Sequence, residues 1–187
     1  MAENSGIQAH KQSLAGLPGL LKIVLSDDLQ SQHLMFQLAP SRSHIMWNVG
    51  HLACAFDQIV SPVVGLDSKF DEAYVGMFGI GSQPVTDIAA YPSLQELTGL
   101  FETVVGSVLA RLDSLSDADL ANVLPESSPV KELFPTLGAL LGAAVFHAGY
   151  HTGQIALLRR AQGLPSGMGM SLPCRGRELK FAWSFYR

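Results

Sequence analysis

The sequence predicts an all-α protein, a four-helix bundle. Three observations carry that expectation. Apolar residues recur at steps of three and four in four long segments. Capping and stop signals stand at the ends of those segments. The linkers between them are polar and rich in Gly, Pro, Ser and Asp, so the apolar stripes have only one another to pack against.

The first helix is expected from about Gln8 to Leu25, with Leu14, Leu17, Leu21 and Leu25 near helical spacing and Pro18 either kinking it or marking its true start. The second follows Pro40, with Ser41 or Ser43 as N-cap, and runs to about Val60 before Pro62 and Gly65 stop it. Within it His44, Asn48, His51, Ala55 and Gln58 fall on one face, flanked by Trp47, Cys54 and Ile59. The stretch 65–92 reads as a long connection that can fold over one end of the bundle. Its glycines at Gly76, Gly79 and Gly81 imitate a phosphate-binding motif but lack the strand context that such a loop needs. Ser93 and Glu96 form a capping box that opens a third helix, continuing through Leu97, Phe101, Val104, Val108 and Leu112 to about Leu115. After a turn-rich link broken by Pro125, Pro129 and Pro135, Thr136 caps a fourth helix that ends at Gly163-Leu164-Pro165. Its inward stripe is Leu140, Ala144, His147, His151, Gln154 and Leu158, and Arg159 and Arg160 sit where they complement the helix dipole. The tail after Pro165 is Gly-rich, then aromatic (Phe181, Trp183, Phe185, Tyr186), and reads as a segment packed on the bundle.

Composition narrows the function. The 187 residues suit one domain, 1–187, and 48% are apolar, ample for a continuous core. With 15% charged residues and a formal charge of −4, there is no electrostatic reason to expect nucleic acid as a partner, and an acidic surface would be repelled by anionic membranes. No apolar run approaches the ~18–20 residues of a membrane span, and the N-terminus lacks a signal-peptide pattern, so a cytoplasmic location is expected. Cys54 and Cys174 are far apart and form no disulfide framework.

The chemistry concentrates at histidines. His147 and His151, four residues apart on one helix, can present both imidazoles to one ion. They lie on the apolar stripe, where buried imidazoles need partners, and His51 offers a third from the inward face of its own helix. Three neutral histidines leave one position for water or substrate, as open zinc sites do; nickel or iron would suit the same ligands. The segment from His147 to His151 lacks the glutamate of the His-Glu-x-x-His motif, which leaves a zincin-type mechanism unsupported. Asn48 and His44 either line the pocket or hydrogen-bond locally, and Gln154 either holds a ligand imidazole or bound water or satisfies buried backbone. Trp47 borders the same pocket. Cys54 reads as a small hydrophobe, and Tyr150 as packing.

The segments Trp47-Asn48-Val49-Gly50-His51-Leu52, Tyr91-Pro92-Ser93-Leu94 and His151-Thr152-Gly153-Gln154-Ile155, with Leu158-Arg159-Arg160, resemble the DinB/YfiT-like superfamily. The resemblance covers roughly Leu14 to Pro165. It implies an up-down-down-up bundle with a divalent metal held by one histidine of the second helix and two of the fourth, positions that match His51, His147 and His151. It further implies a homodimer and metal-dependent transfer of a low-molecular-weight thiol, or hydrolysis, on a small-molecule substrate. The long 65–92 connection and the aromatic tail depart from that pattern. The favoured expectation is an enzyme whose metal activates a thiol or water against an electrophile. A metal or small-molecule binding module without turnover, perhaps stress-related in role, competes with it; a metal-free structural bundle would leave the histidine stripe unexplained.

Overall fold

The computed structural model describes residues 6–26 and 29–167; the aromatic tail and Cys174 lie outside them. Helix α1 spans Gly6–Ala15 and α2 spans Leu17–Val24. Pro18 therefore opens a second helix, in the first turn where its missing N–H costs nothing. The first N–H groups of α1, on Gly6 and Ile7, donate to the Asp117 carboxylate at 3.0 and 2.9 Å. A single turn, α3 (Ser31–Leu34), precedes α4 (Ile45–Ala55).

Neither expected serine caps α4. Ser41 sits at φ 61°, in the left-handed region, and the helix starts later, at His44, whose Nδ1 accepts from Trp47 N–H at 3.2 Å. Helix α4 then passes through one π turn, Phe56–Val60, into α5 (Ser61–Val63). Buried Asp57 is held in that turn: its carboxylate accepts from the backbone N–H groups of Lys69 (2.9 Å) and Phe70 (3.1 Å), which fixes the chain as it leaves the helix.

The 65–92 stretch is more ordered than its composition suggests. It contains α6 (Glu72–Phe78), capped by Asp71 accepting from Tyr74 N–H at 2.8 Å, and a 3₁₀ turn, Ile88–Ala90, capped by Asp87. Helix α7 (Leu94–Leu112) begins at the expected Ser93–Glu96 capping box, and α8 (Leu137–Ala161) at Thr136. The end of α8 closes with Gly163 at φ 80° and Leu164 N–H donating to Arg159 C=O. Arg159 is not a surface charge facing the dipole: it is 1% exposed, and its Nε–H donates to Pro165 C=O at 2.7 Å.

Helix α4 packs against both α7 and α8, α1 and α2 pack against the same pair, and α6 lies on α4. Leu52, Phe56, Leu97, Phe101, Val108, Leu141 and Ile155 fill the space between them. The chain is helical, with no strand among the described residues; Val123 and Thr136 form one isolated bridge. No described helix is long and apolar enough to cross a membrane.

Candidate metal centre

His51 stands in the middle of α4, His147 and His151 one turn apart on α8, and the packing of α4 on α8 brings all three together. One ring nitrogen from each lies within 4.8 Å of the other two. Ring centroids are 5.2 Å apart for His51–His147, 4.8 Å for His51–His151 and 4.5 Å for His147–His151.

The neighbours dictate which nitrogens are free. His51 Nδ1 lies 2.7 Å from Phe78 C=O; a carbonyl only accepts, so Nδ1 carries the proton and Nε2 keeps its lone pair. Asn48 donates its amide to His44 C=O at 2.9 Å, which turns its oxygen toward His151 Nδ1 at 2.7 Å. His151 must then donate, and its Nε2 is again the free acceptor. His147 Nε2 is buried with no hydrogen-bond partner. Two rings are thus held in one tautomer by fixed acceptors, the arrangement by which proteins orient metal-binding imidazoles.

Burial keeps the cluster neutral. It pushes His147 down to about 4, with His51 adding to the effect, and His151 down to about 3, with His147 and then His51 adding to it. His51 is lowered by burial as well, partly offset by its bond to Phe78. Neutral imidazole is the metal-binding form, so the donor set fits a soft or borderline divalent ion at neutral pH. Without such an ion, buried His147 Nε2 would forfeit a hydrogen bond, a cost of about 1–3 kcal/mol.

The sign of the pH dependence follows. Unfolded histidines take up protons below about 6.5, whereas in the folded protein His147 and His151 resist until about 4 and 3. The stability they contribute is present above pH 6.5 and is lost as the pH falls toward 4. With about two protons at stake, the steepest slope is at most ~2.7 kcal/mol per pH unit. Denaturant midpoints of the metal-free protein should fall between pH 7 and 4.5, and a His147→Gln, His151→Gln double variant should flatten that fall. Equal slopes in both proteins would contradict the assignment.

The flanking residues divide into those that touch the cluster and those that do not. Trp47 stacks on His51, centroids 4.6 Å apart and planes 10° apart, and its Nε1–H donates to Ser82 Oγ at 3.1 Å. Asn48 orients His151. His44 does not face the cluster; its Nδ1 caps α4 and its Nε2–H donates to Val85 C=O at 2.9 Å. Gln154 lies close enough to raise the proton affinity of His151, but its buried Oε1 makes no hydrogen bond. Tyr150 is exposed, not packed inside, with its ring edge-on to His151 at 5.1 Å. Burial and then Asp57 push the Cys54 thiol up to about 11, so it is no nucleophile at neutral pH.

Two cavities reach the cluster. One, of about 230 Å³, is bounded by His51 and His147 and otherwise by Ile80 and apolar side chains from α4, the π turn, α8 and the 130–134 segment. The other, of about 210 Å³, touches His51, Cys54 and Gln58. Sequence spacing located the histidines and Asn48 but missed Phe78, whose carbonyl acts independently of its side chain, and the wall residues Val130 and Phe134, which lie in a link with no helical period.

The family model for the DinB superfamily matches residues 23–155, a span that includes His51, His147 and His151. The chain belongs to that superfamily. One further similarity is confined to 53 residues, 49% identical to the transcription antitermination protein NusB of Gluconobacter oxydans (strain 621H), covering 28% of this chain and 32% of that protein. The chain thus matches about a third of the length of that curated relative, too little to carry its role across. Within the DinB superfamily chain, Asn48 ties α4 to the His151 ring through its Oδ1. Asn48→Leu removes the acceptor that orients His151 and should weaken zinc binding about 10–100-fold, as the loss of such outer partners commonly does. Competition against a chelator measures this; unchanged affinity with unchanged helicity would remove Asn48 from the site.

Proposed function

We propose that this DinB superfamily chain is a metal-dependent enzyme that binds one divalent ion through His51, His147 and His151 and activates a small thiol or water for attack on a small electrophile. The observation that supports it most is the convergence of three neutral imidazoles, two of which border an apolar cavity. A dication held there lowers the pKa of a bound thiol or water, so that the reactive anion exists at neutral pH. The protein's own groups do the rest. Phe78 C=O and Asn48 hold two rings in place, Trp47 braces His51, and the apolar wall excludes water from the attacking anion. Zinc, nickel and iron all suit three imidazoles.

The nucleophile comes from a cosubstrate, because the Cys54 thiol stays protonated. Among the described residues, neither cavity wall includes a carboxylate to shuttle protons. That observation favours thiol transfer over hydrolysis, because a metal-bound thiol, intrinsically far more acidic than water, gives up its one proton to solvent without a built-in base. It also supports the second reading, a binding module without turnover.

The deciding experiment is thiol-dependent consumption of 1-chloro-2,4-dinitrobenzene by zinc-loaded protein. The expected result is a rate that drops at least ~10-fold on stripping the metal and returns on reloading, since positioned activation of this kind is commonly worth 10²-fold or more. Equal rates with and without metal would leave the binding module as the better account.

A further inference from the structure

On each of the two helices that supply the histidines, an alanine stands one turn from the ring. Ala55 follows His51 by four residues, and Ala143 precedes His147 by four, with Ala144 beside it. All three line the larger cavity, so the space next to the imidazoles is open because the side chains there end at Cβ. The rest of the wall is Phe56, Ile59, Val60, Ile80, Val130, Phe134 and Leu140. Apart from the two histidines, no side chain of that wall is polar among the described residues. Ile80, at the rim, is 73% exposed, apolar surface left in water until something covers it.

We propose that this cavity receives an uncharged hydrocarbon group of the substrate, a short alkyl chain or one ring, and that Ala143 sets how far it extends. For the end held at the metal, this rests on the proposed function. Size and polarity argue for the class. An apolar cavity of about 150 Å³ is known to hold a benzene-sized guest, so about 230 Å³ admits a ring or a short chain but little more. A charged group carried into such a wall would lose its hydration with no partner in return, which weakens binding by orders of magnitude. Sugar phosphates and free amino acids are thereby disfavoured. A molecule apolar at one end and electrophilic at the other fits, with its reactive atom beside His51 and His147. Ala143 is the position to gauge length because it is half-buried on the wall and outside the main core, whereas Ala144 is packed into it.

The experiment uses n-alkyl hydroxamates of two to eight carbons, titrated calorimetrically into the full-length zinc-loaded protein. Each added methylene should tighten binding about three- to fourfold until the cavity is full, after which affinity levels off. Ala143→Leu should bring that plateau at a shorter chain, and Phe134→Ala should move it to a longer one. Acetohydroxamate binding with no gain from longer chains would overturn the cavity assignment while leaving the metal site standing. If the protein takes up no zinc, the metal reading fails, and metal-free protein then decides the cavity. Methyl ¹³C shifts of Ala55, Ala143 and Ala144 should move saturably with 1-hexanol and cease to do so in Ala143→Leu. No saturable shift would overturn the assignment there as well.

Discussion

His147→Ala should reduce bound zinc from one ion per chain to a trace, measured by elemental analysis on protein prepared without a histidine tag. Four-ligand zinc sites gather about 10–16 kcal/mol, so one imidazole is worth about 3 kcal/mol, roughly two orders of magnitude in affinity. Helicity should be unchanged, because His147 makes no hydrogen bond through Nε2 that its removal would break. The folded metal-free variant should gain stability, since it no longer buries an orphaned acceptor. Loss of metal with a stable fold therefore separates a ligand from a structural histidine. Equal trace metal in both proteins would sink the shared site.

The second large effect belongs to a residue with no side chain. Gly50→Ala places a Cβ under 3.0 Å from three ring carbons of Phe78, closer than real carbon atoms approach. Two effects oppose each other. Alanine favours an α-helix over glycine by about 1 kcal/mol, whereas overpacking a core commonly costs about 1–3 kcal/mol and sometimes more. Phe78 is fully buried, with Tyr74 and Tyr91 rings against it at 4.6 and 5.6 Å, so it has nowhere to retreat. The clash wins. The variant should lose about 2 kcal/mol or more by chemical denaturation. Because the displaced residue also carries the carbonyl that fixes the His51 tautomer, zinc affinity should fall in the fraction that remains folded. A variant as stable as the parent would mean that α6 is free to shift off α4.

The His147–His151 half of the site was legible because its logic is local, whereas His51 joins it only through the packing of α4 on α8. His147 and His151 share a face by helical spacing alone, and the Ser93–Glu96 box and the Thr136 cap announce their helices without tertiary context. The start of α4 was misjudged because serine is the commoner cap, while the decisive fact, Ser41 in the left-handed region, is a backbone property that the sequence does not display. Helix α6 was hidden for a different reason. Seven residues make too short a period to detect among glycines, and its stability comes from packing on α4, with only the Asp71 cap as a local sign. The role of Gly50 was invisible for the same reason: it depends on Phe78, 28 positions away, lying across it.

The single wide turn at Phe56–Val60 has a consequence for how the cavity can be remodelled. Turns of this kind differ from ordinary helix by one surplus residue, and they recur at functional sites. Removing that residue would close the turn into regular α-helix and re-aim the side chains within it, while the chain beyond it keeps its faces. Ile59 and Val60 would swing off the cavity wall and Asp57 would leave its backbone cradle, while His51, upstream, would keep its place. A one-residue deletion within 56–60 should therefore alter what the cavity admits and leave the three imidazoles in place.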